Sequence, residues 1–177
     1  MSGSRLSKRY AKALFSLGQE DGNFDQYGRN LIEFVEFCQQ NVDFRRVIAN
    51  PIFAVEDRKR VLQAALEKSS FLDMVKNFLF LLLEKDRIGA IESITEYYGR
   101  LTDESSNIAR AEIIAARPLK EEALERIERS LEMLTSKKIR SDVKEDQDLI
   151  GGIVVKIGDM VLDGSVKAQL EGLKESF

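Results

Sequence analysis

The sequence predicts a mainly α protein, an N-terminal six-helix bundle followed by a small α+β C-terminal domain. Three observations carry that prediction. From residue 4 to about 106 the apolar residues recur at helical spacing, and Pro51, the proline of that half, falls in a connection. At Asn107 the texture changes. Residues 108–116 alternate, with Ile108, Arg110 and Glu112 to one side and Ala109, Ala111 and Ile113 to the other, the period of a strand. Residues 149–165 (LIGGIVVKIGDMVLDGS) then gather strand, turn and capping signals more densely than any other stretch. The expected domains are 1–106 and 107–177.

The totals narrow the function. A chain of 177 residues suits one domain or two small ones, each with a modest core. At 44% hydrophobic and 32% charged residues it has a globular composition. The net charge is −3, with −1 before Asn107 and −2 from it onward. Neither half is polybasic, which argues against nucleic acid. There is no histidine, so the commonest general base and metal ligand is missing. The single cysteine, Cys38, cannot close an internal disulfide and suits a reducing compartment. Residues 4–10 are polar and basic with no apolar core after them, so no signal peptide is expected. The longest apolar run, Phe78–Leu83, falls far short of the ~20 residues of a membrane span. A cytosolic protein without a membrane-spanning helix is expected.

The first helix is capped at Ser4 and runs to about Gln19. Leu6, Tyr10, Ala13, Leu14 and Leu17 form one stripe, and Ser7, Ala11, Phe15 and Gly18 a second beside it. Their joint arc is about twice the ~100° needed to face one core. Either the helix is sunk deep in the bundle, or one stripe faces the bundle and the other a partner helix. Asp21-Gly22-Asn23 ends it. Residues 25–40 follow, with Leu31, Ile32, Phe34, Val35, Phe37 and Cys38 at helical spacing; a buried structural thiol is the reading for Cys38, since no base accompanies it. A short helix over 41–49 is broken by Asn50-Pro51. Residues 56–68 turn Val61, Leu62, Ala65 and Leu66 inward, and Arg58, Lys59 and Arg60 read as a solvated basic face. Residues 71–85 are apolar nearly all round, so this helix is surrounded or leaves a patch for a partner. Residues 87–106 complete the bundle.

In the second half, the strand over 108–116 ends at Arg117-Pro118. A helix over 120–135 carries Leu124, Ile127, Leu131 and Leu134 on one stripe, with ordinary surface ion pairs around it. Residues 137–144 form a second strand. Residues 149–165 supply two more short strands, and Ser165 caps a final helix with Val166, Leu170, Leu173 and Phe177 on one stripe. So short a helix is marginal alone and must dock, either on its own sheet or on another protein.

Little here can carry chemistry. Glu145, Asp146, Asp148, Asp159 and Asp163 could be imagined around a divalent cation. Their spacing matches no calcium loop, and Asp and Gly are ordinary turn formers. Gly151-Gly152 lacks the rest of a phosphate-binding loop and reads as a bulge or a close backbone approach. No nucleophile, base and orienting group can be assembled. No catalytic residue, no metal and no cofactor is expected. The sequence points to a protein that binds proteins, with a metal-dependent enzyme built around Asp146 and a free-standing helical adaptor as rivals.

Three stretches bear a resemblance to a known family: Arg9-Tyr10-Ala11-Lys12-Ala13-Leu14-Phe15; the break at Asn50-Pro51; and Leu149-Ile150-Gly151-Gly152 through Lys156-Ile157-Gly158 to Asp163-Gly164-Ser165-Val166. Through them the chain resembles, over its whole length, the delta subunits of bacterial F-type ATP synthases, counterparts of the mitochondrial oligomycin-sensitivity-conferring protein (OSCP). The resemblance implies a non-catalytic stator subunit of the peripheral stalk. It links the alpha/beta head to the b stalk so that rotor torque drives ATP synthesis. It implies one copy per complex, peripheral at the cytoplasmic face of the inner membrane. The first domain would grip N-terminal segments of alpha subunits, between the first and fifth helices. On this chain that places the groove at Tyr10, Ala13, Leu14, Leu17, Phe78, Leu79 and Leu82. The second domain would meet the b-type stalk subunits, at Val166, Leu170 and Leu173.

Overall fold

The structure is a computed structural model and describes residues 5–166 and 168. It is mainly helical, with seven α-helices and a four-stranded C-terminal sheet among the described residues. The chain divides into two compact units between Thr102 and Asp103, a few residues before the change of texture at Asn107. No helix among the described residues is long and apolar enough to cross a membrane.

The first unit holds α1 (Arg5–Glu20), α2 (Phe24–Gln40), α3 (Val42–Ala49), α4 (Val55–Leu66), α5 (Asp73–Glu84), a 3-10 turn (Ile88–Ala90) and α6 (Ile91–Ser105), whose last residues pass the division. One apolar cluster joins all six helices. Aromatic edges knit it where α1 turns into α2: Phe15 meets Phe24 and Tyr98 at ring distances of 5.7 and 5.6 Å. Most buried polar groups are paired, as burial demands; among the described residues the Thr95 hydroxyl and the Nη2 of Arg58 are the exceptions. The Tyr98 hydroxyl donates to the Phe24 carbonyl at 2.9 Å. Asn30, wholly buried in α2, accepts from the Leu72 N–H at 3.1 Å, just ahead of α5. Cys38 is buried, and burial pushes its thiol up to about 11.

Two expectations for α4 fail together. Val61 is exposed, and the inward stripe is Arg58, Leu62 and Leu66, at i, i+4 and i+8. Arg58 is therefore not part of a solvated face; it is 1% exposed. Its Nε donates to the Ile48 carbonyl at the end of α3 (2.9 Å), and its Nη1 to the Asp86 carboxylate after α5 (2.6 Å). A guanidinium offers several fixed donors, which lets one side chain tie two chain ends at once.

The second unit has β1 (Ile108–Ala115), α7 (Glu121–Thr135), β2 (Lys138–Glu145), a 3-10 turn (Gln147–Leu149), β3 (Ile153–Ile157) and β4 (Met160–Asp163). The sheet order is β2-β1-β3-β4. β1 and β2 are parallel, joined by the α7 crossover that a parallel pair requires; β3 and β4 are antiparallel to their neighbours. Ala111, Ile113 and Val155 pack with Leu131 of α7 to form the core. On the opposite face stand Arg110, Glu112, Arg140, Asp142, Lys144 and Lys156. Lys144 pairs with Glu112 at 2.7 Å and holds its carboxyl below the usual range. Arg110 pairs with Asp103, and Arg140 approaches the same carboxylate at 4.0 Å.

The glycine pair acts by close approach. Gly152 has φ of 85°, and a Cβ there would run into the Gly164 carbonyl oxygen. The return of β4 beside the start of β3 leaves no room for a side chain, which is the use of glycine at such a crossing.

Candidate partner-binding groove

α1 and α5 lie side by side and leave a shallow apolar groove between them. Its walls are Tyr10, Ala13, Leu14 and Leu17 from α1, and Met74, Asn77, Phe78 and Leu81 from α5, with Arg9 at the rim. Tyr10 meets Phe78 edge to face at 6.3 Å across the floor. The Arg9 guanidinium lies 5.6 Å from the Tyr10 ring, within reach of a cation–π contact. The groove's volume is about 330 Å³, at the low end of the roughly 300–1,000 Å³ of small-molecule pockets. Asn77 and Arg9 apart, its lining offers little to hold a polar cofactor. Its shape and chemistry suit the apolar face of a helix laid lengthwise.

α1 divides its two stripes between two environments. Ser7, Ala11, Phe15 and Gly18 are buried, while Ala13 and Leu17 stand exposed. Leu14 lines the groove from beneath, at 1% exposure. α5 divides in the same way. Val75, Leu79, Leu82 and Leu83 face the core; Met74, Asn77, Phe78 and Leu81 face the groove. Of the expected groove residues, Tyr10, Ala13, Leu14, Leu17 and Phe78 therefore come together. Leu79 and Leu82 do not: both are fully buried and point into the core. Met74, Asn77 and Leu81 take their place. A helix apolar nearly all round gives no contrast from which to choose the outer face. The one polar hint was Asn77, between Met74 and Leu81 at i+3 and i+7.

In the second unit, the Ser165 hydroxyl accepts from the Ala168 N–H at 3.1 Å, as a capping serine does. Val166 lies against Gly151 and is partly exposed, its N–H donating to the Gly151 carbonyl at 2.9 Å. Leu170 and Leu173 lie outside the described residues. The carboxylates near the glycine pair are engaged in turns: Asp146 accepts from the Asp148 N–H at 3.0 Å and Asp163 from the Ser165 N–H at 2.9 Å. That contact holds the Asp163 carboxyl below its ordinary value. No group of three or more Cys, Asp or Glu side chains among the described residues is arranged to hold a metal ion.

A second, smaller cleft opens between α2 and the connection from α4 to α5, over Phe34, Phe37, Leu66 and Phe71, with Glu33, Glu36 and Lys68 at its edge. No pattern of residues announces it, because it depends on where α4 ends.

The family model described as "ATP synthase delta (OSCP) subunit" matches residues 6–177. The ATP synthase subunit delta of Desulfosudis oleivorans is 44% identical over 172 residues, covering 97% of this chain and 94% of that protein. That of Desulforapulum autotrophicum is 42% identical, covering 100% and 97%. Among solved structures, a chain of the Toxoplasma gondii mitochondrial ATP synthase hexamer superposes with a TM-score of 0.75 over 98% of this chain and 97% of that one. At 17% identity that likeness speaks for the fold alone. With the family model matched over residues 6–177 and relatives above 40% identity covering nearly all of it, the chain belongs to the ATP synthase delta (OSCP) subunit family.

Proposed function

We propose that this chain is the non-catalytic peripheral-stalk subunit of an F-type ATP synthase. It ties the catalytic head to the stalk, so that torque on the central rotor drives ATP synthesis instead of spinning the head. The observation that carries the reading is the α1–α5 groove, an apolar trough in a protein of this family with no assembled catalytic group among its described residues. In this reading an amphipathic N-terminal segment of an alpha subunit lays its apolar face between Tyr10, Leu17, Phe78 and Leu81. The second unit takes the b-type stalk through the segment bearing Val166, Leu170 and Leu173. One copy serves each complex, held peripherally at the cytoplasmic face of the inner membrane through its partners. Two sites on one tether raise the effective concentration of each partner at the other, which suits a joint under repeated load.

Calorimetric titration of the full chain tests both sites. An alpha N-terminal peptide should bind the wild type and lose at least tenfold in affinity to Leu17→Asp or Leu81→Asp. Both side chains are 41% exposed, so the thermal unfolding midpoint should hold. A stalk C-terminal peptide should lose affinity on removal of residues 166–177, with the alpha peptide unaffected. Unchanged alpha-peptide affinity in both aspartate variants would overturn the groove, and stalk binding retained after truncation would overturn the second site.

A further inference from the structure

The two walls of the α1–α5 groove repeat one spacing. Tyr10, Ala13, Leu14 and Leu17 stand at i, i+3, i+4 and i+7 on α1, and Met74, Asn77, Phe78 and Leu81 take the same steps on α5. That spacing reads the same from either end. An amphipathic helix docks through the same steps, so apolar packing alone would accept it in both directions. Two groups break the symmetry. Asn77 is the polar residue of the α5 wall; it is exposed, and its carboxamide has no hydrogen-bond partner among the described residues. Arg9 stands at the rim of the α1 wall, where its guanidinium lies beside the Tyr10 ring and meets no carboxylate among the described residues. The flank to which Arg9 belongs is cationic along its first half: Arg5, Lys8, Arg9 and Lys12 are exposed, and no carboxylate follows before Glu20. Each of the other six α-helices carries Asp or Glu in its first turn. α1 carries none there, although a helix N-terminus favours anions over cations. The run therefore does not serve the helix itself, and the rim it forms is complementary to an acidic side chain.

We propose, on the footing that the groove receives the alpha segment, that Asn77 and Arg9 set that segment's register and direction. Asn77 exchanges a hydrogen bond with one polar side chain of the segment, and Arg9 pairs with one of its carboxylates. Occupancy takes water away from Asn77, and a covered amide left without a partner is costly. A segment that sets an apolar residue against Asn77, or that enters reversed, binds worse than one whose polar side chain meets it. The partner so defined is an amphipathic helix with an apolar i, i+3, i+4, i+7 stripe, one amide or hydroxyl within that stripe, and an acid on the flank that faces Arg9.

The full chain is titrated calorimetrically with the alpha N-terminal peptide, and with variants of it in which each polar or acidic residue in turn becomes Ala. Asn77→Ala and Arg9→Gln should each weaken the unmodified peptide by up to about tenfold. Both side chains are exposed, so the unfolding midpoints should hold. One amide or hydroxyl of the peptide should matter to the wild type and not to Asn77→Ala. One acid should matter to the wild type and not to Arg9→Gln, and that coupling should shrink as salt is raised. Additive losses at every peptide position, with binding still lost in Leu17→Asp and Leu81→Asp, would overturn the roles of Asn77 and Arg9 and leave the groove standing. Unchanged affinity in those two aspartate variants would remove the groove, and these roles with it.

Discussion

A buried arginine shows how much one position decides. Arg58, Lys59 and Arg60 look alike in the sequence, yet Arg58 shares a stripe with Leu62 and Leu66 while Arg60 pairs at the surface with Asp57. Arg58→Ala would leave the Ile48 carbonyl without its donor and open a hole, an expected cost of ~2–4 kcal/mol, below that of a fully buried pair because Asp86 is half exposed. Arg60→Ala should cost no more than ~0.5 kcal/mol. Urea midpoints for the two variants check this, and equal midpoints would refute it. The spacing held the information, since 58, 62 and 66 are four apart. Charge misdirects, because the rule that arginine faces water admits an exception when two chain ends need one donor group. Asp21 offers a second test. The Tyr27 hydroxyl and the Asn23 N–H donate to its carboxylate and hold it below 3.8, its ordinary value. A depressed folded value means stability that is present above pH 3.8 and lost as pH falls through the lower folded value. Asp21→Asn should therefore be less stable than the wild type at neutral pH, with the gap closing in strong acid. A gap that stays constant in unfolding midpoints measured across that range would contradict the linkage.

At the scale of the element, α1 and α5 each serve two masters, and the sequence disclosed this unequally. On α1 the stripes are legible because Lys8, Arg9 and Lys12 bound them. On α5 six consecutive apolar residues, Phe78–Leu83, hide which face is outward. Only the packing of the other helices turns Leu79 and Leu82 inward and leaves Leu81 in the groove. The distinction has energetic content. Leu82→Ala should cost ~2–5 kcal/mol through lost burial and the cavity left behind. Leu81→Ala should cost well under half as much, because the site is open to solvent that fills the space. Thermal or urea unfolding of the two variants reads the difference. A Leu81→Ala variant as unstable as Leu82→Ala would mean that the groove is closed in solution. The glycine pair was legible for a different reason. A close backbone approach excludes every side chain, and Gly152 meets it within one ribbon, at Gly164 on the returning strand, so it follows from that stretch alone without knowledge of more distant packing. The strand order, by contrast, was not legible: the parallel pairing of β1 with β2 and the insertion of β1 beside β3 depend on contacts far apart in the chain.

At the scale of the whole molecule, the division near Thr102 separates two cores of unequal size. The first unit buries apolar residues from six helices, whereas the described core of the second is Ala111, Ile113, Leu131 and Val155 with a partly covered fringe. Small cores give small stabilities, so the second unit should unfold first. The sequence supplies the probes to see it. There is no tryptophan, and the four tyrosines, Tyr10, Tyr27, Tyr97 and Tyr98, all lie before the division. Tyrosine emission therefore reports the first unit alone, as does the Cys38 thiol, which burial at about 11 keeps unreactive until that unit opens. Far-UV circular dichroism reports both units, since α7 and the sheet contribute to it. In a guanidinium titration the dichroism should begin to fall while tyrosine emission and thiol labelling are still native, and the latter two should move together at higher denaturant. Coincidence of all three curves would mean one cooperative body. Separate curves would mean that the α1–α5 groove keeps its shape after the second unit has opened, so that under the proposed function the grip on the head would survive when the stalk contact yields, the more useful property for a part that transmits a fluctuating load.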